Sequence, residues 1–485
     1  MRLRGAITAA VLALAASAAA LVVPDPAAAH ALVSRADLPI PEWLFAWAAS
    51  LVLIVSFALL SVAWLEPRLQ ADSWRPVSER ISAVLTGRVA EVLAGVVGVA
   101  LLLILLYAGF EGRQDPARNL TLTFVFVTFW LGLTVLSVLF GDLFRAFNPW
   151  RAIARAFAWF FQLIARQAPP APLAYPERIG YLPAIVGVIG FIWLELIYGG
   201  AGIEGGLAPE TVALAALIYS AITFVAMALF GIEAWTERGE AFSVYFRMFS
   251  QLSPLEVREG RLGRRKPLSG ATDWGMVPWS LALVLVSIGA TSFDGAQEGA
   301  LETPIRETFD LFRDAGLSIV TSFRINGTIW LAIAIAAATL LFTLGVRGMH
   351  TVRGSPPVRE LARSFAHTLI PIALAYLVAH YFSLFVFQEQ AQFTYLLSDP
   401  LADGADLFGT ASGGIDYGVV SANAIWYVQV GSLVAGHVAA LTLAHDRALA
   451  IYGDTQRATR SQYWMLAVMV GFTCLGLYLL SQANA

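Results

Sequence analysis

Charge is scarce in this chain. Only 13% of its 485 residues are Asp, Glu, Lys or Arg, against about a quarter in soluble globular domains. With 58% hydrophobic residues and a mean hydropathy of +0.69, this excludes a water-soluble globule with an ordinary polar shell. Lysine is almost missing, with Lys266 alone beside thirty arginines. Cys474 is the one cysteine, which excludes an internal disulfide and any thiolate metal cluster within one chain. The net charge is −3 and the basic residues are dispersed, so the electrostatic footprint of a nucleic-acid partner is missing. There is no Gly-Lys-Ser/Thr phosphate loop, no Gly-x-Ser-x-Gly nucleophile elbow and no His-Glu-x-x-His zinc helix. The chain holds only seven methionines and no methionine-rich tract of the kind found in copper carriers.

What it has instead is repeated apolar segments. Residues 1–29 read as a secretory signal: Arg2 and Arg4 precede an Ala/Leu-rich stretch, and Pro24 and Pro26 break it just before Ala27-Ala28-Ala29. Cleavage there leaves His30 as the first mature residue; an uncleaved signal anchor is the alternative. The remainder, 30–485, reads as one all-α, polytopic transmembrane helix bundle of about ten spans. The windows are 42–64, 89–110, 120–141, 180–198, 209–231, 276–292, 326–346, 366–387, 423–444 and 462–481. Each approaches the ~20 residues that a helix needs to cross the hydrocarbon core. Pro183, Pro278 and Pro371 fall inside three of them, as kinks or broken helices.

The arginines orient the bundle. If the mature N-terminus lies outside, the five inner connections carry 23 of the 31 basic residues, from the Arg68–Arg88 segment to the Arg447–Arg460 segment. The outer segments keep Arg35, Arg113, Arg118, Arg306, Arg313 and Arg324. The long outer loop from Gln388 to Asn423 has no Lys or Arg. That is the positive-inside pattern of a multi-pass plasma-membrane protein of a bacterium, with both mature termini outside. Two connections carry helices of their own. Asn148-Pro149 starts an amphipathic helix over 150–167, read as lying in the inner headgroup layer or capping the bundle. Thr303-Pro304 starts a short outer helix with Ile305, Phe309 and Phe312 at helical spacing.

Ionisable groups at membrane depth invite a functional reading. Five of the six histidines fall in the last 136 residues, and four of them, His367, His380, His437 and His445, share two helices. Measured from Gln388 and Ala424 as outer ends, His380 lies ~12 Å and His437 ~19 Å inward, so the two could converge. Glu195 and Asp294 could add carboxylates. His380, His437, Glu195 and Asp294 are therefore the candidate catalytic set, with His380 and His437 as ligands of a divalent metal such as zinc. The alternative is that these groups only hydrogen-bond between helices. The unequal spacings, 13 between His367 and His380 and 8 between His437 and His445, disfavour a two-haem arrangement. His30, offering its amine and ring Nδ1 together, is a separate candidate ligand suited to Cu(II).

Several segments carry a resemblance: HALVSRADLPIPEWLFAWAASLVLIVSF (30–57), GDLFRAFNPWRA (141–152), RGEAFSVYFRMFSQLSP (238–254), HTLIPIALAYLVAHYFS (367–383) and WYVQVGSLVAGHVAALTLAHDRAL (426–449). They resemble a family of bacterial multi-pass membrane proteins known as fenitrothion hydrolases. The resemblance runs over nearly the whole mature chain. It implies hydrolysis of a hydrophobic organophosphate triester, reached through the lipid bilayer. It assigns no catalytic residues. The start His30-Ala31-Leu32-Val33-Ser34 is also similar to that of small periplasmic copper-binding proteins, so a transporter, a copper-handling protein or a non-catalytic partner of a membrane complex is the alternative.

Overall fold

The computed structural model describes residues 42–483 apart from 71, 168–172, 200–206, 298 and 300. The leader and His30 lie outside the described residues. Helix dominates, as an all-α bundle requires. Seven helices are long and apolar enough to cross a membrane: Glu79–Glu111, Leu120–Phe140, Pro209–Phe230, Ser280–Gln297, Ile319–His350, Val358–Leu396 and Ala422–Tyr452. Three shorter apolar helices, Trp47–Ala63, Leu182–Tyr198 and Tyr463–Tyr478, fall on the remaining three windows.

The helices used below are α1 (Glu42–Ala63), α2 (Arg88–Glu111), α3 (Leu120–Phe140), α4 (Pro149–Ala165), α5 (Leu182–Tyr198), α6 (Pro209–Phe230), α7 (Ala241–Ser250), α8 (Ser280–Gln297), α9 (Glu302–Asp314), α10 (Ile319–His350), α11 (Ile370–Ala391), α12 (Ala422–Tyr452) and α13 (Tyr463–Ala483). Much of the apolar surface faces outward rather than into a core. Along α2, Val89, Val92, Val96 and Leu103 are exposed, and α1 exposes Leu51, Val55, Leu59 and Val62. Such a belt would aggregate in water and is what a lipid solvent accommodates. Helices α11 and α12 pack along much of their length. Their approach is enabled at Gly436, where an added Cβ would come within 2.3 Å of Ala375 Cβ.

One expectation needs correction in part, and two features are additional to the expected spans. Pro183 occupies the first turn of α5 and Pro278 precedes α8, so neither kinks a helix interior, whereas Pro371 follows the 3-10 turn Ala366–Leu369 that interrupts the long Val358–Leu396 helix. In the first turn a missing N–H leaves no intrahelical hydrogen bond unmade. The segment around 238–254 is not merely an inner connection. Its helix α7 is buried almost throughout, with Tyr245, Phe246 and Phe249 fully enclosed and Tyr245 stacked on Trp130 at a centroid distance of 4.0 Å. At ten residues α7 is too short to register in a ~19-residue hydropathy window. The buried carboxylate of Glu240 caps it, accepting from the N–H groups of Phe242 and Ser243 at 3.0 and 2.8 Å.

A small sheet lies on the arginine-rich side. Strands β1 (Arg75–Pro76), β2 (Leu255–Arg258) and β3 (Arg261–Arg264) pair antiparallel in the order β1-β3-β2. Glu259 and Gly260, with φ of 50° and 76°, make the two-residue turn between β2 and β3. The expected extra helices are present. Asn148 caps α4 by accepting from Arg151 N–H at 2.8 Å, and Pro149 is at N1. The far part of α4 exposes Phe157, Phe160, Phe161 and Ile164. Helix α9 is held to α10 through Thr308 and Asn326, 2.7 Å apart.

Candidate functional site

Asp294 sits one turn before the end of α8. Its Oδ2 accepts from His380 Nε2 at 2.8 Å and from Tyr381 O–H at 2.6 Å, while its Oδ1 accepts from Gln297 Nε2 at 2.8 Å. His380 and Tyr381 are consecutive on α11, and their rings meet edge-on at 4.5 Å. A carboxylate between them reaches both, although their side chains diverge by about 100° around the helix. The Asp294 side chain is 13% exposed and that of His380 26%, so the pair is sheltered but not sealed.

The hydrogen bond fixes the tautomer. With the Nε2 proton directed at the carboxylate, neutral His380 carries its lone pair on Nδ1. That edge lies beside Gly295, where an added Cβ would come within 3.3 Å of Nδ1. An oriented imidazole whose Nδ1 has no hydrogen-bond partner among the described residues, held by a carboxylate through its other nitrogen, is the arrangement of a general base.

Glu195, on α5, is partly buried and close enough to Asp294, Tyr381 and Tyr245 to interact with them electrostatically. It belongs to a π-helical stretch, Leu194–Tyr198. Two further π-helical stretches lie nearby: Thr123–Gly132 in α3 and Gln392–Leu396 after α11. Thr128 of the first donates to Glu389, one turn before the second, at 3.3 Å. π-Helical turns are rare and concentrate where a side chain must be re-aimed.

The helix ends place the site relative to the bundle. Gln388 is not the outer end of its helix, because α11 runs on to Ala391 and the π-helical stretch continues it to Leu396. His380 instead pairs with a residue three positions from the end of α8 and stands level with Glu195, three from the end of α5. The cluster is therefore near the arginine-poor rim of the bundle. Residues 397–421 fold across that rim. Leu401 O and Pro400 O accept from Arg113 N–H and Leu120 N–H at 2.8 and 3.4 Å.

His437 does not join this cluster. It is fully buried on α12, and its Nδ1 is 2.7 Å from Leu433 O on its own helix. Its ring neighbour is Tyr376, at 6.3 Å, whose hydroxyl donates to Phe472 O. Among the described residues, no group of three or more His, Cys, Asp or Glu is arranged to hold a metal ion. The four-residue catalytic set is thus divided, with His380, Asp294 and Glu195 at the rim and His437, the other expected metal ligand, elsewhere. A zinc-type site built on all four does not fit. His445 has a packing role, with Nε2–H donating to Trp64 O at 3.0 Å while Gln462 donates to Nδ1 at 3.1 Å. The exposed His350 donates from Nδ1 to Pro356 O. His367 is fully buried at the Ala366–Leu369 turn.

Sequence reasoning missed Tyr381 and Gln297. Tyr376, one turn from His380, faces α12 and α13 instead, through the ring of His437 and the carbonyl of Phe472. Gln297, one turn after Asp294, was readable as its neighbour on the same face. No protein-family model, curated protein or solved structure matches the chain.

Proposed function

We propose that this chain is a ten-span bacterial plasma-membrane protein that hydrolyses a hydrophobic phosphotriester-type ester at the outer rim of its bundle. The His380–Asp294 pair carries this reading: a carboxylate-oriented imidazole whose Nδ1 has no hydrogen-bond partner among the described residues, in a bundle that exposes a wide apolar belt. Seven long and three short apolar helices support the reading of ten spans, and the arginine bias supports an outward-facing rim.

In the reaction, His380 Nδ1 takes a proton from water as the water oxygen bonds to phosphorus. The phosphorus–oxygen bond to the leaving aryl group breaks with its electron pair. The proton on His380 then passes to the departing aryloxide, giving a phosphodiester acid and a phenol. Asp294 holds the ring and stabilises the imidazolium, and Tyr381 and Gln297 hold Asp294. A triester partitions into lipid, so a site at the rim receives it from the outer leaflet.

The second reading is proton-coupled transport, favoured by the proximity of Glu195 to Asp294 within membrane-embedded helices. The test is purified chain in nanodiscs with a nitrophenyl phosphorothioate triester, followed by nitrophenol release. Turnover that falls about 10²-fold or more in His380→Gln supports hydrolysis. No turnover in the wild-type chain contradicts it. Proteoliposomes that acidify on ligand addition without product formation would put the transport reading in its place.

A further inference from the structure

Away from the rim, a cavity of about 40 Å3 lies between α8, α10, α11, α12 and α13. Its walls are aliphatic and phenyl side chains except for three groups: His437 from α12 and Met465 and Met469 from α13. The methionines are four residues apart and so share one helix face. All three are nearly or fully buried, at 0%, 4% and 6% exposure. Gly345 of α10 leaves the clearance for the Met465 sulfur, which an added Cβ would approach to 2.9 Å.

The state of His437 is fixed by its neighbour. Leu433 O can only accept, so the ring proton is on Nδ1 and the lone pair is on Nε2. That Nε2 is sealed from solvent and has no hydrogen-bond partner among the described residues. A metal-binding histidine has this form, with its second nitrogen donating to a backbone carbonyl. We infer that His437, Met465 and Met469 form a binding site for one soft monovalent cation of the Cu(I) class.

The chemistry separates this ligand from the alternatives. A water molecule would fit, since ~10–15 Å3 is enough for one, but it needs two to four polar partners. The cavity offers a single good one. Thioethers are poor hydrogen-bond acceptors but good donors to soft metals, and imidazole complements them. Among the residues lining the cavity there is no carboxylate, so a hard or divalent ion would lack both its preferred oxygen ligands and charge compensation. This site is separate from the Asp294–His380 pair and does not rest on the hydrolase reading.

The test uses full-length chain in detergent, in a His30→Ala/Cys474→Ser background that removes the mature N-terminal histidine and the only thiol. Cu(I) is titrated against a chromogenic Cu(I) chelator. The expected result is one Cu(I) per chain, with affinity lowered at least about tenfold by Met465→Leu/Met469→Leu and by His437→Gln. The leucines nearly conserve volume, so thermal unfolding of the double variant controls for folding. X-ray absorption of the loaded chain should show sulfur and nitrogen neighbours. Equal Cu(I) affinity in the parent and the methionine variant, no Cu(I) bound by the parent, or a shell of nitrogen and oxygen alone would overturn the inference.

Discussion

Asp294 gathers its partners because a carboxylate offers two oxygens and several lone-pair directions to donors on two helices. Each donor then has a separable role. Removing Tyr381 O–H by Tyr381→Phe loosens Asp294 but leaves the His380 contact, so turnover should fall less than in His380→Gln. Gly295→Ala tests the space beside Nδ1. Its methyl would press on the basic edge at 3.3 Å, so turnover should drop several-fold with unfolding temperature unchanged. A change in unfolding temperature with turnover retained would speak against Nδ1 as the working nitrogen. Remote from the spans, Asp406 accepts from Ser398 O–H at 2.6 Å and from Ala411 N–H at 3.0 Å. Those donors, Ser398 first, hold its carboxyl below the usual value of 3.8. A depressed folded-state pKa contributes stability above the unfolded value and loses it as pH falls through the folded one. The loop should therefore loosen only below about pH 4, read as faster hydrogen exchange at Ala411. Exchange unaltered down to pH 2 would show that the bond does not hold the loop.

Among elements, α4 depends on one buried arginine. Arg151, with 8% of its side chain exposed, pairs with Glu91 at 2.7 Å and Glu233 at 3.0 Å, joining α4 to α2 and to the Ile232–Arg238 helix. Arg155 also contacts Glu91. Arg151→Met should lower stability by about 2 kcal/mol, less than for a sealed pair because both carboxylates are partly exposed. Thermal unfolding in detergent measures this, and an unchanged midpoint would assign α4 to the membrane surface alone. The π-helical stretch Leu194–Tyr198 gives a second test. Deleting Leu196 restores α-helical register and rotates the following residues by about 100°, which should abolish activity while leaving the bundle folded. Full activity in the deletion would separate Glu195 from the site.

Helix starts and apolar spans were readable in the sequence because local chemistry dictates them. Asn148-Pro149 and Thr303-Pro304 mark helices that are present, and each apolar window holds a helix. What escaped depends on tertiary packing. The burial of α7 comes from aromatic partners on α3, and the extension of α11 past Gln388 comes from polar residues that a hydropathy window rejects. The candidate site was half readable. His380 bonds Asp294, with Glu195 close enough to Asp294 to interact electrostatically, whereas His437 was grouped with them by vertical distance alone, which says nothing about the direction a side chain takes around its helix.

For the whole molecule, orientation decides which leaflet feeds the rim. In a Cys474→Ser background, Asp403→Cys should react with an impermeant maleimide in intact cells, and Arg264→Cys only after lysis; equal labelling of both would sink the ten-span arrangement. The most direct test of the central claim is the triester hydrolysis rate of the Asp294→Asn chain beside the wild type, both in nanodiscs. Asparagine keeps the size and can still accept from Tyr381 and His380, but lacks the charge that supports the imidazolium. The account expects wild-type turnover and a loss of about 10²-fold in the variant, with folding intact. Equal rates in the two proteins would contradict it.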